Sequence, residues 1–417
     1  QDVFPSKGGS GTGASATRTD PVHELTPELR RARERLLPVI ESLPGPIDWA
    51  VAYGSGVIHQ ANAAPSSPLQ SPPMTDFLLS TPSPTQFHTS NIRSNPSHYP
   101  LYARLLGGSA VAWLQDRWGA GIWYVSMVRV HDLEVKYGVI STERLKRDLE
   151  EWETLYVAGR LHKPVLPLLT PPPLLPSLHA NLLSALSLSL LLLPPRFTEH
   201  TLYITIAGLS YSGDPRMSVP GAENPDKVKN IVAGPGNLRG FRRLYGGLLD
   251  RIPGVRWEDG KVAEKGWIGF NGGDGGEGED GEGWIVQPSS PAYLADLIPS
   301  LAPRLREGIA AHYRAAPPND FGSGRGTEAG AGAGAGAGGT RRPYGSPVYH
   351  DIAFWERVVK DPQFRTVVRQ ELRKIMYRPA LTQSVKGLFT AGLTKSVRYS
   401  LAKIGKWWKA RQARSAV

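Results

Sequence analysis

A chain of 417 residues is long enough for two or more domains, and with no cysteine it has no disulfide framework, thiolate-held zinc or thiol nucleophile. Its net charge of +11 sits at one end: eleven Lys or Arg and no acid follow Glu371, while residues 1–371 balance to zero. A neutral body with a cationic end argues against a surface coated for nucleic acid and points to one anionic surface met by that end.

Residues 1–20 are rich in Gly, Ser and Thr, show no secretory apolar region and read as disordered. Thr26 caps a predicted helix, with Pro27 and Glu28 in its first turn. Leu29, Leu36, Leu37, Ile40 and Leu43 follow near helical spacing, and Pro44-Gly45-Pro46 ends it. Ile47–Tyr53 is a predicted buried strand running into Gly54-Ser55-Gly56. Without Cβ atoms the glycines let backbone N–H groups approach a phosphate. A hydroxyl between two glycines also opens the nucleotidyltransferase signature, and a plain turn is the competing reading of the tripeptide.

Ala61–Pro73 is a Pro/Ser/Ala loop insertion. Thr75–Leu79 is a predicted short strand carrying Asp76. A carboxylate on a strand beside a Gly-Ser turn suits Mg²⁺ in nucleotidyl transfer; a solvated strand Asp is the bland alternative. Gln86–Tyr99 packs two His, two Asn, an Arg and a Tyr into one stretch, able to touch a phosphate or nucleotide or simply to start and end a helix. His88 and His98 are too far apart in sequence for a tight metal-ligand pair.

Gly119–Ser126 and Val135–Ser141 are two further predicted strands, the second carrying Lys136. Thr142 starts an acidic helix that runs towards Ala158–Val165. Glu143, Asp148, Glu150, Glu151 and Glu153 are expected to face water, with Leu145, Leu149, Trp152 and Tyr156 as the buried stripe. Pro164–Pro195 contains no charged Asp, Glu, Lys or Arg, yet Leu182–Leu193 is too short and too broken by Ser to span a membrane; a buried helix is expected. In Tyr203–Val232, Asp214, Arg216, Glu223, Asp226 and Lys227 read as a loop closing into a helix or as a salt-bridged surface. Gly269–Gly283 and Gly322–Gly339 are low-complexity insertions.

The last segment is amphipathic. At about 100° per residue, Leu393, Val397, Leu401, Ile404 and Trp408 share one face, and Lys395, Arg398, Lys403, Lys406 and Lys409 the other, with Trp407 near the boundary. Such a helix suits the headgroup layer of an anionic bilayer, without spanning it; packing on the body or a nucleic-acid arm are the alternatives.

Several stretches together resemble the mitochondrial translocator assembly and maintenance family: YGSGV at Tyr53–Val57, the Asp76 strand, FHTSNIRSNPSHY at Phe87–Tyr99, KYGVIS at Lys136–Ser141, LYVAGRLHKPV at Leu155–Val165, LSYSGDPRM at Leu209–Met217, ENPDKVKNIV at Glu223–Val232 and QSVKGLFTAGLTKSVRYSLAK at Gln383–Lys403. The resemblance implies an α+β fold: a nucleotidyltransferase-like mixed sheet with flanking helices over residues 21–165, a winged-helix-like helical domain over 166–380 with insertions near 269–283 and 322–343, and a membrane-contacting amphipathic helix over 381–417. It implies a phosphatidate cytidylyltransferase that uses CTP, phosphatidate and Mg²⁺, peripheral on the matrix face of the mitochondrial inner membrane and feeding cardiolipin synthesis. In that reading Gly54, Ser55 and Gly56 cradle the triphosphate, Asp76 holds the metal, Lys136 neutralises phosphate charge, and Asn91, His98 and Tyr99 contact nucleotide or headgroup. Leu393, Val397, Leu401, Lys403, Lys406, Trp407 and Trp408 meet the membrane.

Val125-Ser126 stands where the family pattern has an Asn-Pro-like pair, and Asp76 lacks a second acid two residues on, so Asp132 or Glu134 is the candidate partner. A transferase acting on RNA ends and a non-enzymatic membrane scaffold remain alternatives; the neutral body disfavours the first.

Overall fold

The computed structural model describes residues 25–54, 57, 74–218, 226–234, 236–258, 283–315 and 351–390. Helix α1 (Pro27–Glu41) starts as expected, with the Thr26 hydroxyl accepting the Leu29 N–H. Then follow β1 (Trp49–Tyr53), β2 (Thr75–Thr81), α2 (Pro84–Ser94), α3 (Leu101–Arg117), β3 (Ile122–Val130), β4 (Leu133–Ser141), α4 (Thr142–Glu151) and β5 (Leu166–Leu169). These make a mixed α+β unit whose five-stranded sheet runs β3-β4-β2-β1-β5. Among the described strands only β2 and β4 pair in parallel, the long crossover between them being filled by α2, α3 and β3.

The sheet is covered on both faces, which is why β1 reads as an unbroken apolar run. Ala50, Ala52, Phe77, Leu79, Trp123, Val125 and Val139 pack towards α1, α2 and α3. The alternate residues Trp49, Val51, Leu78, Ile122, Tyr124 and Ile140 join a core that continues into the helical half.

That half contains α5 (Leu175–Leu192), β6 (Arg196–Thr198), α6 (Glu199–Leu209), α7 (Lys227–Val232), α8 (Asn237–Leu249), β7 (Arg256–Trp257), β8 (Trp284–Val286), α9 (Pro291–Leu297), α10 (Pro303–Ala315), α11 (Ile352–Lys360) and α12 (Phe364–Thr390). The three short strands form an antiparallel sheet ordered β6-β8-β7. Helix α5 is long and apolar enough to cross a membrane by length and composition, but 61% of its apolar window is buried inside the protein, where it is a core helix as expected.

Two expectations about α4 are corrected. It ends at Glu151, because Trp152 takes a left-handed conformation (φ 56), so Tyr156 lies in the following loop and not on a helical stripe. Asp148, expected in water, is buried. Its carboxylate accepts the N–H groups of Thr154, Leu155, Val157 and Ala158 and the Thr154 hydroxyl, at 2.7–3.0 Å. One carboxylate thereby satisfies a turn that holds both Trp152 and Leu155 at positive φ.

Candidate active site

The sheet register brings three of the predicted residues together. Asp76 lies opposite Tyr53 on β1 and opposite Lys136 on β4. Lys136 Nζ is 3.3 Å from Asp76 Oδ1, and both side chains keep about a quarter of their surface open to solvent. The same ammonium sits 5.0 Å from the centre of the Tyr124 ring.

Gly54 follows directly after β1, with φ +83, a region that side chains with a Cβ rarely enter. A Cβ there would stand 3.1 Å from Asp76 Oδ2. The glycine is thus required twice, for its backbone angle and for the approach of the carboxylate. Ser55 and Gly56 lie outside the described residues, as do Leu393, Val397, Leu401, Lys403, Lys406, Trp407 and Trp408.

The face of the sheet that carries Asp76 and Lys136 looks towards a cluster of cations and phenols, of which Arg160 and Lys163 were not expected at the site and Tyr156, Arg216 and Lys227 were expected only as stripe, loop or surface residues. The turn secured by Asp148 delivers Tyr156 and Arg160, whose guanidinium stacks 4.0 Å over the Tyr156 ring and donates to the Tyr156 carbonyl. Lys163 Nζ donates to the Gly159 carbonyl and the Ser210 hydroxyl, each at 2.7 Å. From the other side, Arg216 pairs with buried Asp214 at 2.6 Å, and the Tyr211 ring lies within cation–π reach of both Lys163 and Lys227.

The electrostatics show how densely positive this region is. Burial pushes the Tyr156 phenol up, yet the charges of Arg160, Arg216 and Lys136 together outweigh it and leave its pKa below the ordinary value. Burial, then repulsion from Arg160 and Lys227, hold Lys163 well below the usual lysine range. Tyr53 is pushed up by burial and by the negative charge of Asp76, with Arg160 opposing. A surplus of cations over the carboxylates of Asp76 and Asp214 is the arrangement a polyanionic ligand would relieve.

Asn91, His98 and Tyr99, expected to contact nucleotide or headgroup, are not brought to Asp76 and Lys136. They lie on the opposite face of the sheet, around Tyr137, the neighbour of Lys136 on β4. Asn91 Nδ2 donates to the hydroxyls of Tyr99 (3.1 Å) and Tyr137 (2.8 Å), and His98 Nδ1 is 2.8 Å from the same Tyr137 hydroxyl. His88 bridges Tyr99 and Gln115 at 2.8 Å each. This buried network braces β4 from behind and spends its polar atoms on itself.

For a divalent cation, the fitting observation is Asp76 Oδ1, a buried oxygen that faces the Lys136 ammonium at 3.3 Å and accepts no hydrogen bond among the described residues. A single carboxylate with a spare lone pair suits Mg²⁺, which is bound through one or two carboxylates plus substrate phosphates. Among the described residues no three His, Asp or Glu are grouped; Asp132 and Glu134 are both exposed, and Glu134 stands two residues before Lys136 on β4.

The comparison with known families now bears on this geometry. Residues 36–406 match the family model described as phosphatidate cytidylyltransferase, mitochondrial. The chain belongs to that family. It is 33% identical over 373 residues to the mitochondrial phosphatidate cytidylyltransferase of Danio rerio, covering 89% of this chain and 94% of that one. The Xenopus laevis relative of the same description is 34% identical over 371 residues, 88% of this chain and 93% of the other. The Schizosaccharomyces pombe relative reaches 42% over 225 residues, 54% of this chain and 55% of its own.

Arg160 and Lys163 stand within AGRLHKPV, and Arg216, read as a loop or surface residue, within SGDPRM. Asp214 and Arg216 do form the ion pair that a salt-bridged surface would predict. What the pattern could not say is that this pair faces Tyr156 and Arg160.

Proposed function

We infer that this protein is a phosphatidate cytidylyltransferase: a phosphate oxygen of phosphatidate attacks the α-phosphorus of CTP, the α–β bridging bond breaks, and CDP-diacylglycerol and diphosphate result. The observation that carries this reading is the convergence of Gly54, Asp76 and Lys136 opposite a cationic cluster, in a chain of this family. A phosphate monoester carries about −1.5 to −2 charges at neutral pH, so the nucleophile is already ionised and needs little help from a base. Catalysis then consists of positioning two anions that repel each other and neutralising them.

Gly54, Ser55 and Gly56 cradle the triphosphate with backbone N–H groups. Lys136 sits beside the reacting phosphates, and Arg160, Arg216 and Lys227 supply the further positive charge that lets the second anion approach. Asp76 holds Mg²⁺, which when bound neutralises phosphate charge and favours departure of diphosphate. Tyr137 and the Asn91, His98 and Tyr99 network act as positioning residues that fix β4 and hence Lys136. The five-stranded unit is read as a nucleotidyltransferase domain, and the helical half as winged-helix-like, a reading supported by its three-stranded antiparallel sheet among helices. The acid-free C-terminal segment keeps the enzyme at the matrix face of the mitochondrial inner membrane as a peripheral protein, where CDP-diacylglycerol enters cardiolipin synthesis.

The test is incubation of the full chain with labelled CTP, Mg²⁺ and phosphatidate. A labelled lipid product is expected from the parent, and none from Asp76→Ala with an unchanged melting transition. Full activity in that variant would remove the role given to Asp76.

A further inference from the structure

Among the described residues ten large apolar side chains are exposed, and nine of them lie on only two helices, α3 and α12. Scattered exposed apolar residues are ordinary, but a cluster rimmed by charge marks an interaction surface. On α3, Leu101, Leu105, Leu106 and Trp113 stand out, with Leu105 78% and Leu106 65% exposed. On α12, Tyr377, Leu381, Val385 and Phe389 recur every four residues and form one stripe.

The two helices meet. The Tyr102 hydroxyl donates to the Phe389 carbonyl, the rings of Trp118 and Phe389 are 5.7 Å apart, and Lys386 donates to the carbonyls of Gln115 and Trp118. Helix α3 also breaks at Gly107 (φ 81), which sets its first half at an angle to its second.

Charge decides what fits this surface. Arg104 and Arg117 on α3, and Arg369, Arg373, Lys374 and Arg378 on α12, are exposed. Neither helix exposes an acid: Asp116 is half-buried, and Glu371 is buried and paired with Lys374. A second copy of the chain would set like charges face to face. The 27 residues after Thr390 are no better matched, because they carry seven Lys or Arg and no acid. A sheet of anionic headgroups over an apolar layer matches both the charge and the leucines, and Trp113, Tyr102 and Tyr377 are residue types that favour that boundary.

We propose that the α3–α12 surface is a second membrane contact, in which Leu101, Leu105, Leu106, Trp113 and Phe389 enter the headgroup layer of an anionic bilayer. It extends the peripheral reading given above, in which residues 381–417 made contact, by adding α3 to the end of α12, and it would fix the orientation of the protein on the membrane through two elements at once. The basic side chains around the patch reach the headgroups and add charge attraction to the burial of the leucines.

The test uses the full chain. Because it has no cysteine, Leu106→Cys gives a single site for an environment-sensitive fluorophore, with Arg251→Cys in the helical half as control. Vesicles of phosphatidylcholine mixed with phosphatidylglycerol should shift the emission at position 106 to the blue, leave position 251 unchanged, and act more strongly than pure phosphatidylcholine. The double variant Leu105→Ser, Leu106→Ser should float with the mixed vesicles on the order of tenfold more weakly or worse, since two exposed leucines lose their burial. It should retain its melting transition and its turnover of a short-chain, monomeric phosphatidate.

Vesicle binding equal to the parent would overturn the proposal. So would emission already blue without lipid, which would mean that the chain's own C-terminal segment covers the patch, or a parent dimer that the variant abolishes without any change in flotation. A parent that turns over no phosphatidate while position 106 enters the bilayer would sink the catalytic reading and leave this surface standing.

Discussion

Gly54 and Asp76 depend on each other. An alanine at position 54 would be strained at φ +83, at a cost of about 1–2 kcal/mol. Its Cβ would also crowd Asp76 Oδ2 at 3.1 Å and turn the carboxylate away from Lys136. Gly54→Ala should therefore lower kcat by on the order of a hundredfold, as misplacement by about an ångström does, while the melting temperature falls by only a few degrees; steady-state kinetics and calorimetry on the same preparation would check this. On the other face of the sheet, His88 is fully buried, and that burial, with some opposition from its Gln115 hydrogen bond, lowers its pKa from 6.5 to about 4. The unfolded chain takes up that proton as the pH drops below 6.5 and the folded one does not until about 4. Stability is thus lost across this window, by roughly 3 kcal/mol from this residue. Urea unfolding of His88→Gln should show a flatter dependence on pH between 6.5 and 4 than the parent.

At the scale of elements, the turn after α4 carries the cationic half of the site, and its shape rests on Asp148. Four backbone N–H groups and a hydroxyl converge on that carboxylate. An amide in its place has only one oxygen and turns two hydrogens towards these donors. Asp148→Asn is expected to destabilise the protein by about 1–3 kcal/mol through unsatisfied buried donors. Because Tyr156 and Arg160 ride on the same turn, kcat should fall as well, and Asp148→Asn at low temperature, where it remains folded, should still show that loss. Helix α12 is a second organising element. Gln383 accepts the Ala120 N–H and donates to the Ile122 carbonyl, which ties the helix to the edge strand β3 next to the turn at Gly119.

For the whole molecule, the site lies where the sheet unit and the helical half share one core. A ligand that bridges Lys136 on the sheet to Arg160 and Arg216 opposite should stabilise both halves together. CTP at about a hundredfold its Kd should add about 2.7 kcal/mol to the unfolding free energy. Differential scanning fluorimetry should show one transition moving upward, less at high ionic strength because the contacts are charge–charge. Arg160→Gln should reduce that shift, with the unliganded transition affected far less.

The strands and the turn that carry Gly54, Asp76 and Lys136 could be read from the chain alone because they are local. An apolar run buried on both faces gives β1, a break in it at Gly54 gives the turn, and the short apolar segment around Asp76 and that around Lys136 give the neighbouring strands. The acid-free end and its basic, apolar alternation are likewise properties of composition. Asp148 reads as a solvated helix acid, because a carboxylate there is buried only if a turn supplies its donors, and that turn belongs to the fold. The pairing of Tyr53, Asp76 and Lys136, the facing of Arg160, Lys163 and Arg216 onto them, and the withdrawal of Asn91, His98 and Tyr99 to the opposite face were settled by tertiary structure. Strand alternation says that neighbours point to opposite faces; which face is the site depends on what packs against each, and residues far apart in the chain make that choice.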